Sequence, residues 1–328
     1  MATLLVDRSG IELRADGAAL AVYEEGERRG TVPMKLLERV VLQGTIRLDT
    51  GVLTRLAEAG VPTLVLGGRT SRRVALLVGP GYRDASVRLA QFQCALDAAW
   101  CDAWSRRLVL GKLRAQLRLL RRALEERPDA RKPLFDAIAS LEEMYRTLKS
   151  NERLAAASVR GIEGASAAAY FRGFGALFPE GLGFRGRNRR PPKDPVNAAL
   201  SLAYTLLHFD AVRATLAAGL DPMIGFYHRP AHGRESLACD FIEPLRPHAD
   251  AWVRALFRQR TLRAESFAMD KGACLLGKAG RAAFYEGWER FAPLLRRALR
   301  RQCAALARAL RQRGEPLVEK GEESGDEP

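Results

Sequence analysis

Two hydrophobic rhythms divide the chain. Up to about residue 80 the apolar positions come in short β-favourable runs, at Thr3–Val6, Leu20–Tyr23, Val40–Leu42, Val61–Leu66 and Val74–Val78. Gly10, the Asp16-Gly17 pair and Gly30 punctuate them with the tight-turn residues that hairpins need. One helical stretch interrupts this pattern over Asp49–Ala59, with Asp49 and Thr50 as candidate caps and Gly60 as its stop. Gly79-Pro80-Gly81 then breaks the rhythm, and after Asp84 the apolar residues recur with helical period. The pattern predicts helices over about 85–126, 131–148, 152–173, 195–218, 236–257 and 280–313. The expected fold class is α+β and multi-domain. A small β-rich N-terminal domain (1–80) precedes a larger all-α domain (85–313), and a tail (314–328) lacks the apolar residues to fold alone. No repeat of 20 to 50 residues is visible.

Composition adds limits to this picture. The apolar start is broken by Asp7 and Arg8 before a secretory signal could form, and charges interrupt every run long before the ~18 residues of a membrane helix. The expectation is a soluble, cytoplasmic protein without membrane association. Five cysteines, Cys94, Cys101, Cys239, Cys274 and Cys303, are odd in number and never form CxxC, so neither a disulfide framework nor a zinc knuckle is expected. The net charge is +15, and residues 315–328 hold six acids against Lys320, which leaves +20 on the rest of the chain. Such an excess favours a polyanion, nucleic acid before anionic membrane.

Candidate chemistry lies in the second half. Asp240 and Glu243 have i,i+3 spacing, which on a helix puts two carboxylates on one face and calls for a cation between them. His228 precedes Asp240 by twelve residues, in Gly225-Phe226-Tyr227-His228. Glu163 is a lone acid in Gly161-Ile162-Glu163-Gly164-Ala165-Ser166-Ala167-Ala168-Ala169-Tyr170, where small residues allow close packing and an unpaired charge would be costly. A solvated helix face would also carry an i,i+3 acidic pair, so the spacing alone does not choose.

Four ordered segments carry a resemblance: Gly161-Ile162-Glu163-Gly164, then Arg190-Pro191-Pro192-Lys193-Asp194-Pro195-Val196-Asn197, then Gly225-Phe226-Tyr227-His228, and finally Gly233-Arg234-Glu235-Ser236-Leu237-Ala238 with Asp240, Glu243 and Arg246-Pro247. Together they resemble the CRISPR adaptation integrase, the Cas-one family, over the whole chain to about residue 313. Tyr227 stands where that family usually has leucine, and Leu245 where it usually has an aromatic residue. The resemblance implies a divalent-metal site of Glu163, His228 and Glu243, with Asp240 beside them as a further ligand or base. Oxygen donors plus one imidazole suit Mg²⁺ or Mn²⁺. Pro244 would delete the helical hydrogen bond to Asp240, so the choice between Asp240 and Glu243 as direct ligand stays open.

A basic loop supplies the expected nucleic-acid contact. Arg185, Arg187, Arg189, Arg190 and Lys193 fall within nine positions, stiffened by Pro191-Pro192. With Asn197, Arg234 and Arg246 they form the candidate DNA-binding set. A second stripe of Arg107, Lys112, Arg114, Arg118, Arg121 and Arg122 accompanies an apolar set at Leu110, Leu113, Leu117, Leu120 and Leu124, and reads equally as a solvated face.

The resemblance further implies that the 3′-hydroxyl of spacer DNA is the nucleophile, joined to a repeat by phosphodiester strand transfer, with endonuclease cutting at the same site. It implies a homodimer, in which the N-terminal domain would serve dimerisation, within a larger complex with a small Cas-two adaptation protein. A branched-DNA repair nuclease or a mobile-element integrase would use the same metal site. A non-catalytic DNA-binding scaffold would need only the positive body.

Overall fold

A computed structural model describes residues 2–67, 72–77, 85–188 and 191–318. Arg189, Arg190, the Gly79-Pro80-Gly81 turn and the tail from residue 319 lie outside the described residues. The chain folds as two compact units, residues 1–83 and 84–328.

The first unit holds β1 (Ala2–Val6), β2 (Ile11–Asp16), β3 (Ala19–Glu24), β4 (Glu27–Pro33), β5 (Leu37–Gln43), β6 (Arg47–Leu48), α1 (Thr50–Glu58), β7 (Thr63–Gly67) and β8 (Arg72–Leu77). One sheet runs β1-β5-β7-β8, with β1 and β7 parallel to β5 and β8 antiparallel; the other runs β4-β3-β2-β6. Val6, Leu13, Leu20, Leu37, Val40, Val52 and Leu56 share one core drawn from both sheets and α1. Asp49 caps α1 by accepting from the Val52 N–H at 2.9 Å, and Gly60 follows the helix at φ +67°. The apolar runs missed β2 and β4. β2 alternates Ile11, Leu13 and Ala15 with charged residues, and β4 is almost wholly exposed, so neither forms a continuous apolar run.

The second unit contains α2 (Ala85–Leu96), α3 (Ala98–Glu126), α4 (Arg131–Ser150), α5 (Ala156–Gly175), α6 (Pro195–Ala217), α7 (Ser236–Ile242), α8 (Arg246–Arg258), β9 (Phe267–Asp270), β10 (Ala273–Leu276) and α9 (Lys278–Gly314). The expected helix 85–126 is two helices, because Asp97 accepts from the Ala99 and Trp100 N–H groups and restarts the chain as the cap of α3. The all-α expectation needs a correction: β9 and β10 form an antiparallel hairpin, turning at Lys271 and Gly272, both at positive φ. It is too short to show a strand period in the sequence. The Cys274 N–H of β10 donates to the Pro192 carbonyl at 2.7 Å and so fastens the basic loop.

Helix α3 runs through this unit in contact with α4, α5, α8 and the Glu243–Leu245 turn. At Gly173 of α5 an added Cβ would lie 2.7 Å from the Ala137 Cβ of α4, so the small residue permits that approach. All five cysteines are free thiols, and no described helix is long and apolar enough to cross a membrane.

Candidate active site

Four elements converge beside α3. Glu163 comes from the middle of α5, His228 from the loop after α6, Asp240 from α7, and Glu243 from the 3₁₀ turn that ends α7. The turn exists because Pro244 has no N–H and cannot extend α7; the predicted helix over 236–257 is therefore broken at Glu243–Leu245. That break lets Glu243 point back toward α3.

The Lys112 ammonium, on α3, donates to Glu163 Oε1 and to Glu243 Oε2, the latter at 2.6 Å. The other Glu243 oxygen faces Arg246 Nη2 at 3.2 Å, and the Arg246 guanidinium lies 4.8 Å over the Tyr204 ring. Burial alone would raise the Glu243 carboxyl, but Arg246 and Lys112 outweigh it and hold it at about 2. Burial likewise works against the Lys112 charge, yet the Glu243 and Glu163 carboxylates keep that ammonium above its ordinary range. Glu243, Lys112 and Arg246 are thus all charged at any working pH.

His228 is placed by Asp240. Asp240 Oδ2 accepts from the Phe226 and Tyr227 N–H groups at 2.8 and 3.0 Å; Oδ1 accepts from the His228 N–H at 2.9 Å and faces His228 Nδ1 at 2.8 Å. Four donors use up the lone pairs of a carboxylate, and Asp240 has no exposed surface. With Nδ1–H committed to Asp240, the neutral imidazole keeps its Nε2 lone pair for another partner. His228 is close enough to act on the Glu243 carboxylate, and the Tyr227 phenol is raised by burial and then by Glu163 and Glu243. The loop also needs Gly225: an added Cβ would sit 2.6 Å from the Ser236 carbonyl carbon and 2.8 Å from the His228 oxygen. Phe226 locks the same loop edge-on against Trp100 and Trp104, at 5.9 and 5.1 Å.

The half-buried Glu163 carboxylate, the buried Glu243 carboxylate and one imidazole suit a hard divalent ion. A cation between Glu163 and Glu243 is electrostatically required, and a lysine ammonium now meets that requirement. Among the described residues no three His, Cys, Asp or Glu side chains already stand in a ligating cluster. The residues fit the ion in kind; Lys112 occupies the shared position between the two carboxylates.

Lys112 is the residue that the sequence pattern misplaced, in the exposed stripe of α3. Helical phase sets it with Val109, Leu113, Gln116 and Leu120, all buried, and that i, i+3, i+4 pattern was the available signal. Asp250 was also missed. It is buried and accepts from the Tyr170 and Tyr204 hydroxyls at 2.8 and 2.5 Å, beneath Arg246.

The basic loop is partly turned inward. Asn197 is wholly buried: its carbonyl accepts from Arg187 Nη1 at 2.8 Å and the Asn188 N–H at 3.0 Å, and its amide donates to Gly186 O and to Asp194. Arg187 continues to Ser201 and over the Tyr204 ring. The expected DNA contact at Asn197 is corrected to an internal role, since Asn197 has no surface to offer a phosphate; Arg246 pairs with Glu243 and lies over the Tyr204 ring, with 17% of its side chain exposed. Arg187 is engaged in the same internal network. Arg234 donates to the Arg229 carbonyl and to Ser236 Oγ, lacing the loop before α7. Arg185 and Lys193 are exposed, as are Arg107, Arg114, Arg118, Arg121 and Arg122 on α3.

Comparison with known proteins bears on the family and the fold. The sequence profile of the family described as CRISPR associated protein Cas1 matches residues 4–290. A CRISPR-associated endonuclease Cas1 of Thermodesulfovibrio yellowstonii is 36% identical over 315 residues, 94% of this chain and 97% of that protein. Among solved structures, a casposase bound to integration product superposes with a TM-score of 0.80 at 20% identity, covering 99% of this chain and 96% of the casposase. A chain of a Cas6-RT-Cas1–Cas2 complex gives 0.77 at 21% identity, with 98% of this chain but 36% of the larger one covered. At such identities the structural likeness speaks for the fold, and the sequence match speaks for descent: the chain belongs to the Cas1 family of CRISPR-associated endonucleases.

Proposed function

We propose that this chain is the integrase of CRISPR adaptation, joining the 3′-hydroxyl of spacer DNA to a repeat and cutting DNA at the same site. The observation that carries this reading is the meeting of Glu163 and Glu243, eighty positions apart, around one buried cation within electrostatic reach of His228. Glu163, Glu243 and His228 Nε2 would hold the divalent metal that the family requires, and the ion is Mg²⁺ or Mn²⁺. When bound, it polarises the scissile phosphate and promotes loss of the hydroxyl proton.

The chain's own residues do the rest. Asp240 orients the imidazole, Arg246 fixes the second oxygen of Glu243, and the exposed Arg185 and Lys193 take phosphates and position the duplex. DNA supplies the nucleophile, so no serine, tyrosine or cysteine of the protein is consumed. We assign the N-terminal unit to dimerisation, within a complex with a Cas-two adaptation protein; the Cas6-RT-Cas1–Cas2 relative supports that partner.

The test is strand joining on a repeat-containing plasmid in Mn²⁺ buffer, using Glu163→Ala, His228→Ala and Glu243→Ala proteins. Each should lose joining and keep most DNA affinity. Unchanged joining by the His228→Ala protein removes the site. Products that are cut but never joined would favour a repair nuclease instead.

A further inference from the structure

Lys112 is more than a neighbour of the site. Its ammonium donates to one oxygen of Glu163 and one of Glu243, and Lys112 is itself buried, in a stretch of α3 where Val109 and Leu113 have no exposed surface. A divalent ion held by those same two carboxylates would stand within about 3 Å of the ammonium, where like charges repel strongly at low dielectric. The lysine and the ion therefore exclude each other. Arg246 is not in the same position, because it holds the other oxygen of Glu243 and is pinned over Tyr204. The way out lies on the Glu163 side, whose side chain is 22% exposed against 5% for Glu243. A lysine has four rotatable bonds with which to take it.

We propose that Lys112 is a resident counter-ion: it holds Glu163 and Glu243 together before the metal arrives and is displaced toward solvent by it, so that this lysine sets the metal affinity of the site. It acts as a positioning residue. Without it the buried Glu243 and half-buried Glu163 carboxylates would repel, and the α3–α5–α7 junction would loosen. With it the site is preassembled but binds the ion more weakly. The proposal rests on the metal-site reading above.

Two measurements on the full chain without DNA test it. Calorimetric titration with Mn²⁺ at pH 8 compares the wild type with Lys112→Met, Lys112→Arg and Glu163→Gln. Lys112→Met should bind Mn²⁺ about tenfold tighter and melt lower without metal, because a competing charge and a buried ion pair are both gone. Lys112→Arg keeps the charge and should not tighten. The second measurement uses only wild-type protein, so it survives a variant that does not fold: acetic anhydride labelling of Lys112, read by mass spectrometry, should rise when Mn²⁺ is added. Unchanged labelling, or Lys112→Met affinity equal to or weaker than wild type, overturns the counter-ion role and leaves the metal site standing. A wild type that binds no Mn²⁺, or a Glu163→Gln protein that binds it equally well, overturns the metal-site reading itself.

Discussion

Asp240 takes four donors, three from consecutive backbone N–H groups and one from the imidazole it orients. An asparagine there would turn an N–H₂ toward donors, so Asp240→Asn should cost about 1–3 kcal/mol of stability in denaturant titration. It should also lower strand joining by about 10–100-fold, through a misdirected His228 ring. Retained joining would show that the imidazole needs no orienting. Asp250 offers a pH signature. Burial raises its carboxyl from 3.8 to about 6, although the Tyr204 and Tyr170 hydroxyls donate to it. A carboxyl raised in the fold is favoured protonated, so the fold loses stability as pH climbs from 3.8 to about 6 and loses no more above that. The melting-temperature advantage of the wild type over Asp250→Asn should therefore shrink across that window. A constant difference would mean that Asp250 ionises freely.

At the scale of elements, the site is made by interruptions. The α7 helix stops at Pro244, and the loop before it passes Gly225 close under the Ser236 backbone. Gly225→Ala puts a methyl carbon 2.6 Å from that backbone, so the loop must move and carry His228 with it. We expect the variant to stay folded, since the Glu163–Lys112–Glu243 ion pairs are made by elements other than this loop, while strand joining falls by at least about tenfold, as misplaced catalytic groups do. Full activity would show that the loop has slack. The predicted segments found the helices of the second unit because α4 and α8 carry a clear apolar stripe, while α5 and α6 are long runs of apolar and small residues nearly all round. They missed the break at Asp97, because an aspartate cap leaves the apolar period nearly intact, whereas the break at Glu243–Leu245 falls where Pro244 removes a helical hydrogen bond, a mark that the residue carries and the apolar period does not. The β9–β10 hairpin escaped for another reason: four-residue strands whose partners are each other carry no long alternation.

For the whole molecule, charge predicts salt-dependent DNA binding. A body of +20 attracts phosphates, but the fold decides which cations reach them. Replacing the exposed Arg185 and Lys193 by alanine should flatten the salt slope of DNA binding by about 2, since each phosphate that goes unneutralised removes ~0.9 from it. An unchanged slope would move the DNA to the α3 face, where Arg118 and Arg146 line a shallow cleft. By itself the sequence determined the family, the β-rich and helical parts, and the candidate acids and imidazole, because residue types at fixed local spacing carry those properties. Which carboxylate faces the cation, which arginines turn inward, and that a lysine occupies the space between Glu163 and Glu243 were decided only by tertiary structure. The physical reason is that burial and ion pairing depend on the meeting of elements far apart in the chain, and Lys112 has the same local character whether it meets water or two carboxylates.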